Sequence, residues 1–147
     1  MNFTKNTALA LIGLAIVGQS VLAMSSGKPV FTAAENVAFE EIIPGVVSFG
    51  TVAGDRAQGS HGTFVRIPAG KATPLHTHAA EYHAVIIQGM MENPITDVEI
   101  SEETLMAGSY YYVPANAPHI TRCAADSPVD CISFFYQSVP FDFAVAE

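Results

Sequence analysis

Beyond Asn36, hydrophobic residues occur in short runs rather than at the spacing of an amphipathic helix. The runs are rich in Val, Ile, Phe, Tyr and Thr, and Gly, Pro and Asp separate them, which is typical of β-strands joined by turns. The predicted strands are GVVSFGTVA, GTFVRIPA, LHTH, YHAVIIQGMM, DVEI, GSYYYVPA, HITRC and CISFFYQ. Short strands in this number predict an all-β sandwich or small barrel in a single domain.

The beginning of the chain has a different pattern. Lys5 precedes an apolar run that starts at Ala8 and ends in small residues at Ala23, as in a cleaved export signal. A membrane anchor is the alternative, but glycines interrupt the run and no basic cluster follows it. We therefore expect a periplasmic or extracellular protein with three parts: a signal peptide at 1–23, an N-terminal arm that settles into an edge strand at 24–45, and the folded domain at 46–147.

The charge of the chain excludes two classes of partner. Six Lys and Arg stand against 14 Asp and Glu, and the net charge is −8 at pH 7. An acidic chain of this kind repels nucleic acid and anionic lipid surfaces. We expect no nucleic-acid partner, and no membrane partner after cleavage of the signal.

Cys123 and Cys131 are the only cysteines of the chain. An exported protein meets oxidising conditions, under which two neighbouring thiols pair. The intervening segment contains a turn signal at 126–128, so facing strand positions would bring the two sulfurs together. We expect a disulfide, and two buried free thiols are the alternative.

Three of the five histidines have a spacing that suits metal ligands. His76 and His78 are two residues apart, so in a strand both imidazoles point to the same face. His119 lies in VPANAPHITRC, a Pro-containing turn that leads into a strand. Three imidazoles are costly to bury without a shared partner, so a divalent metal site is expected. The alternative is an empty interior in which the histidines only form hydrogen bonds.

These residues lie within two motifs that resemble those of the cupin family. The first cupin motif, G-x5-H-x-H-x3-E-x6-G, resembles the segment 70–89, and the second, G-x5-P-x-G-x2-H-x3-N, resembles 108–123. Spacing agrees at every motif position. Three identities differ: Tyr82 replaces Glu, Asn116 replaces Gly and Cys123 replaces Asn. Asn tolerates the left-handed conformation that a turn glycine supplies, so the change at Asn116 is mild.

The chain is also similar to the cupins of unknown function related to the ChrR-type cupin domain, through PLHTHAAEYHAVIIQG, GSYYYVPANAPH and FDFAV. The cupin resemblance implies a jelly-roll barrel that holds one divalent transition metal. Fe, Zn, Ni and Mn are all compatible with histidine ligands. His76, His78 and His119 stand at the positions of the family's histidine ligands.

The fourth ligand position is where the chain departs from the family. Tyr82 occupies the position of the family's carboxylate, and strand alternation turns Glu81 and His83 to the other face unless a bulge intervenes. We expect three histidines with solvent completing the coordination, and His83 is the alternative fourth ligand. Tyr82 is either a hydrogen-bond donor to a metal-bound oxygen or a packing residue.

Two functions suit this arrangement. Open metal positions beside three neutral imidazoles suit an iron-type dioxygenase acting on a small enolisable or dicarbonyl compound, whose anion would chelate the metal. The alternative is a non-catalytic cupin that binds or senses a small molecule or metal, so enzyme activity itself stays open. The expected partners are a small, anionic ligand and a second copy of the chain in a homodimer.

Overall fold

The computed structural model of the chain describes residues 27–146. Within this range, residues 31–146 belong to one compact unit. The predicted signal peptide lies outside the described residues. No helix in 27–146 has the length and apolarity that a membrane span requires.

Short strands are the main regular elements of the described chain. Two 3-10 helices accompany them, at Ala34–Asn36 and Glu99–Glu102. The strands are β1 Glu40–Ile43, β2 Val47–Gly54, β3 His61–Ile67, β4 His76–Thr77, β5 Tyr82–Gln88, β6 Met91–Glu92, β7 Tyr110–Val113, β8 Arg122–Cys123, β9 Cys131–Gln137 and β10 Ala144–Val145. The predicted all-β class is confirmed.

The strands form one large sheet and two small ones. The large sheet has the order β1-β2-β3-β9-β5-β7, and β10-β4 and β6-β8 form two-stranded sheets. All pairings are antiparallel. Neighbours in the large sheet are distant in sequence, as where β9 lies between β3 and β5. The strand β1 falls inside the predicted arm, at the edge of this sheet, and the predicted boundary at residue 45 stays a prediction.

Alternation along the strands places the core on one face of the large sheet. In β5, Tyr82, Ala84 and Ile86 are buried, whereas His83 and Val85 are exposed. This is the period of two that a half-buried strand requires. The buried hydrophobic cluster consists of Val47, Phe49, Ile67, Tyr82, Ala84, Ile86, Met91, Val113, Cys123, Cys131 and Phe135.

Two predicted strands need correction. DVEI is not a strand, because Glu99–Glu102 forms a 3-10 helix instead. YHAVIIQGMM is not one continuous strand. Gly89, where φ is 84°, interrupts it between β5 and β6. A Cβ at Gly89 would lie 2.8 Å from the Sγ of Cys131 and 2.9 Å from its Cα. This close approach requires glycine and ends the strand there.

The predicted disulfide is confirmed. Cys123 at the end of β8 and Cys131 at the start of β9 are bonded, with their Cα atoms 5.5 Å apart. The bond joins a strand of the small β6-β8 sheet to a strand of the large sheet. It therefore links these two sheets covalently.

Candidate metal centre

Two chain segments that are far apart in sequence bring three histidines together. His76 lies in β4, His78 follows it directly, and His119 lies in the loop before β8. The backbones of His76 and His119 bond in both directions, with N–H to O distances of 3.0 and 2.9 Å. The three rings point inward, and each histidine is at most 7 % exposed. One nitrogen from each ring lies within 4.8 Å of the others.

Each of these imidazoles is held in one tautomer by a backbone carbonyl. Nδ1 of His76 donates to the carbonyl of Pro74 at 2.9 Å, and Nδ1 of His119 donates to that of Ala117 at 2.9 Å. Nδ1 of His78 donates to the carbonyl of Asp142. Since a carbonyl can only accept, each Nδ1 carries the proton and each Nε2 keeps its lone pair. Metal-binding histidines in proteins are oriented in this way.

Burial keeps the three rings neutral. It lowers the pKa of His76 to about 3, with His119 and His78 adding to the effect, and it lowers the pKa of His119 to about 4. The pKa of His78 is also lowered by burial, and its hydrogen bond to Asp142 opposes this shift. Neutral imidazole is the form that binds a metal. The donor set therefore fits a divalent transition metal.

The C-terminal segment packs against the histidines. The strand β10 pairs with β4, and the ring of Phe143 stacks on that of His76 with centroids 4.5 Å apart. Asp142 forms two hydrogen bonds with the segment that follows β4. Its backbone carbonyl accepts from His78, and its carboxylate accepts from the N–H of Ala79 at 2.8 Å. Sequence reasoning noted FDFAV only as a resemblance and missed this role, because the key acceptor is a backbone atom.

Tyr82 and His83 are adjacent in sequence and lie in different surroundings. Tyr82 is buried, and its hydroxyl lies 3.1 Å from Nε2 of His119. Burial raises the pKa of Tyr82 well above its usual value of 10, so it stays protonated. His83 is on the exposed face, where its Nδ1 bonds with the hydroxyl of Tyr110 at 2.7 Å. The structure thus places Tyr82 with the three histidines and His83 apart from them.

His76 and His78 line one wall of a small cavity of about 50 Å³, and Tyr82, which bonds with His119, lines it as well. This volume has room for a few water-sized groups. Apolar and aromatic side chains supply most of the wall, and no Asp or Glu of residues 27–146 belongs to it. The polar members other than histidine are Thr73, Tyr82, Tyr111, Thr121 and Gln137, and the aromatic members include Phe49, Phe135, Phe141 and Phe143.

A hydroxyl and amide pair beside the site was missed by sequence reasoning. Thr121 donates its hydroxyl proton to Oδ1 of Asn93 at 2.6 Å, and both side chains are buried. Thr121 lies two residues after His119, so it is held on the same loop. Neither residue belongs to a motif position that could have identified it.

Four residues at motif positions have the left-handed backbone conformation. Gly70, Gly89 and Gly108 have φ values of 74°, 84° and 90°. Asn116, which replaces the motif glycine, has a φ of 61°. The turn geometry that presents His119 is therefore kept without glycine.

Solved structures with the same fold are cupins. The chain matches an RmlC-like cupin from Shewanella frigidimarina with a TM-score of 0.59 and 18 % identity, covering 77 % of this chain and 92 % of the other. It matches a candidate acetylacetone dioxygenase from Methylibium petroleiphilum (TM-score 0.60, 20 % identity, 82 % and 83 % covered). It also matches the polyketide cyclase RemF from Streptomyces resistomycificus (TM-score 0.66, 18 % identity, 82 % and 86 % covered). The protein therefore has the cupin jelly-roll fold, as the two motifs predict.

The family follows from the sequence. The family model described as Domain of unknown function (DUF4437) matches residues 36–147, and the chain belongs to this cupin-like family. No curated protein matches the chain. At identities of 18 to 20 %, the structural similarities show the fold and not the activity.

Proposed function

We propose that the protein is a metal-dependent dioxygenase for a small 1,3-dicarbonyl or otherwise enolisable compound. One observation carries the proposal: three neutral histidines lie together, and two of them, His76 and His78, line a small, largely apolar cavity that contains no carboxylate from residues 27–146. The similarity in fold to a candidate acetylacetone dioxygenase supports it, since acetylacetone is a compound of this class.

The metal would be held by His76, His78 and His119, and iron suits these ligands. When bound, it would supply Lewis acidity for an anionic oxygen ligand and a position for O2. Because all three ligands are neutral, no protein charge offsets that of a divalent ion. The residues present thus favour an anionic ligand over a neutral one.

The cavity restricts which ligands can become anionic there. No Asp or Glu of residues 27–146 lines it, and the three clustered histidines are committed by their Nδ1 bonds and by the metal that their Nε2 atoms would hold. Within residues 27–146, the cavity lining therefore offers no free base to remove a proton from carbon. Compounds that are acidic enough to enter as the enolate, such as 1,3-dicarbonyls, suit the site.

The other cavity residues exclude water and orient the ligand. Phe141 and Phe143 cover the histidines, with ring centroids of 5.3 Å for Phe141 to His78 and 4.5 Å for Phe143 to His76. Tyr82, which stays protonated, is placed to donate a hydrogen bond to an oxygen held beside His119. Excluding water protects an activated ligand from side reactions.

The proposal is tested by loading the protein anaerobically with Fe²⁺ and following O2 consumption with pentane-2,4-dione. We expect about one iron per chain and O2 uptake that depends on the dione. His119→Ala should lose both, and His83→Ala should keep both. Iron binding and dione binding without O2 uptake would instead support the alternative function, a cupin that binds or senses small molecules.

We also propose that the protein is exported to the periplasm or beyond. The leader-like pattern of residues 1–23 supports this, and so does the disulfide of Cys123 and Cys131, since such bonds persist in oxidising compartments. Mass measurement of the protein from the periplasmic fraction should show a chain that begins near Met24. A full-length chain in the cytoplasm would contradict export.

Finally, we propose a homodimer. The outer face of the large sheet exposes Val85, Tyr110, Tyr112 and Tyr136, at 38 to 58 % of their surface. Apolar and aromatic side chains of this kind are enriched at protein interfaces. Light scattering is expected to give twice the chain mass, and a monomer at all working concentrations would contradict the proposal.

A further inference from the structure

The two nitrogens of His119 have different roles that the hydrogen bonds define. Nδ1 lies 2.9 Å from the carbonyl oxygen of Ala117, which can only accept, so Nδ1 carries the proton. Nε2 therefore has a lone pair and no proton. The hydroxyl of Tyr82, 3.1 Å away, donates to this lone pair.

A metal held by the three histidines needs the same lone pair. A nitrogen lone pair cannot accept a hydrogen bond from Tyr82 and bind a metal at the same time. The hydrogen bond from Tyr82 thus stabilises the metal-free protein and competes with the metal. Tyr82 is also buried, with 6 % of its surface exposed, so bulk water is a poor substitute for this acceptor.

A buried hydroxyl that loses its acceptor must find another. The hydroxyls of Thr121 and Tyr111 are near enough to affect the pKa of Tyr82, although less than burial does. Both are neutral, and Thr121 already donates to Asn93. An anionic ligand oxygen beside His119 is a stronger acceptor than either, because charged acceptors form the stronger hydrogen bonds.

We propose that the Tyr82 hydroxyl exchanges acceptors: it leaves Nε2 of His119 when a metal binds, and then donates to an anionic oxygen of the ligand. This inference rests on the proposed function for the metal and the ligand class. It assigns Tyr82 two effects of opposite sign, because a single hydroxyl weakens metal binding and strengthens ligand binding.

The test measures two affinities of Tyr82→Phe, which removes only the hydroxyl. The first is the affinity of the metal-free protein for Zn²⁺, measured by competition with a chromophoric chelator. We expect Tyr82→Phe to bind Zn²⁺ about two- to tenfold more tightly than the wild type, the value of one neutral hydrogen bond. The second is the affinity of the Zn²⁺-loaded protein for pentane-2,4-dione, which should be about ten- to hundredfold weaker.

Tyr112→Phe is the matched control, because it removes the same atom from an exposed position. It should change neither affinity. Weaker Zn²⁺ binding by Tyr82→Phe would make Tyr82 a metal ligand and overturn the inference, and unchanged Zn²⁺ binding would overturn it as well. Tighter Zn²⁺ binding with unchanged dione binding would overturn the ligand half, because the hydroxyl would then have moved to an acceptor within the chain.

A measurement on the wild type keeps the test decisive if Tyr82→Phe does not fold. Zn²⁺ should change the tyrosine signal in near-ultraviolet circular dichroism up to one equivalent, and an unchanged signal at full occupancy would overturn the exchange. Failure of the proposed function can be distinguished from failure of this inference. Absence of metal binding by the wild type would refute the metal centre, whereas Zn²⁺ and dione binding without O2 uptake would refute only the dioxygenase activity.

Discussion

The histidine cluster and His83 show the same side chain in two environments of one small barrel. His76, His78 and His119 are buried, and backbone carbonyls hold their Nδ1 atoms. His83 is exposed, and its partners are the side chains of Tyr110 and Tyr112, with ring centroids 6.1 and 5.1 Å away. Burial and a fixed tautomer, rather than residue type, make an imidazole suitable for binding a metal at a defined point.

The largest effect is expected from removing a member of the cluster. His76→Ala and His119→Ala should reduce metal content from about one ion per chain to a background level, because two imidazoles cannot hold the ion as three do. His83→Ala should keep full metal content. Elemental analysis after gel filtration decides between them. Loss of metal in His83→Ala alone would show that the strand is bulged and that His83 is a ligand.

A smaller loss is expected from removing the segment that orients His78. A chain that stops after Phe141 lacks the Asp142 carbonyl and Phe143, so we expect metal affinity to fall about 10- to 100-fold, as for other partners of metal ligands. A chain that stops after Val145 keeps both and is the control. Equal Zn²⁺ affinities of the two chains would show that this segment does not orient the site.

The two faces of β5 can be compared by placing the same new charge on each. Tyr82→Glu should tighten Zn²⁺ binding by about tenfold, because a carboxylate beside a divalent ion in a partly dry site gains more from attraction than its burial costs. His83→Glu puts the charge on the outer face, where solvent screens it, and should leave the affinity unchanged. Chelator competition measures both variants. An equal effect of the two would contradict the assignment of faces.

The buried histidines should also make the metal-free protein less stable in acid. His76 and His119 have folded-state pKa values of about 3 and 4, below the usual 6.5, so the unfolded chain binds protons first as the pH falls. Stability is therefore full above pH 6.5 and is lost between that value and about 3 to 4. From pH 7.5 to 5.0 we expect a loss of about 2 kcal/mol for each of His76 and His119.

Urea unfolding at these two pH values measures this loss. His76→Asn should show a smaller loss than the wild type, because it removes one of the two groups with a lowered pKa. Equal losses in His76→Asn and the wild type would contradict the lowered pKa of His76.

Much of the fold was predictable because it depends on local patterns. Alternating Val, Ile, Phe and Tyr predicted β2, β3, β5, β7 and β9, and the motif predicted that Asn116 could replace a turn glycine, as its φ of 61° confirms. DVEI was misjudged because two apolar residues in four occur as readily in a 3-10 turn as in a strand. The strand β10 was missed because its two residues are exposed and only their pairing with β4 defines them.

The candidate site also has features that local sequence determines and features that tertiary structure determines. The spacing of His76 and His78, the motif position of His119 and the period of two around Tyr82 are properties of the sequence itself, since a strand turns alternate side chains to one face whatever surrounds it. The partners of these side chains depend on tertiary structure. The carbonyl of Asp142 reaches His78 from 64 residues away, and the Tyr82 hydroxyl reaches His119 from 37 residues away. Backbone carbonyls are the same in every residue, and burial depends on neighbours in space, so only the folded barrel determines which imidazoles are neutral, which nitrogen is free and which hydroxyl competes for it.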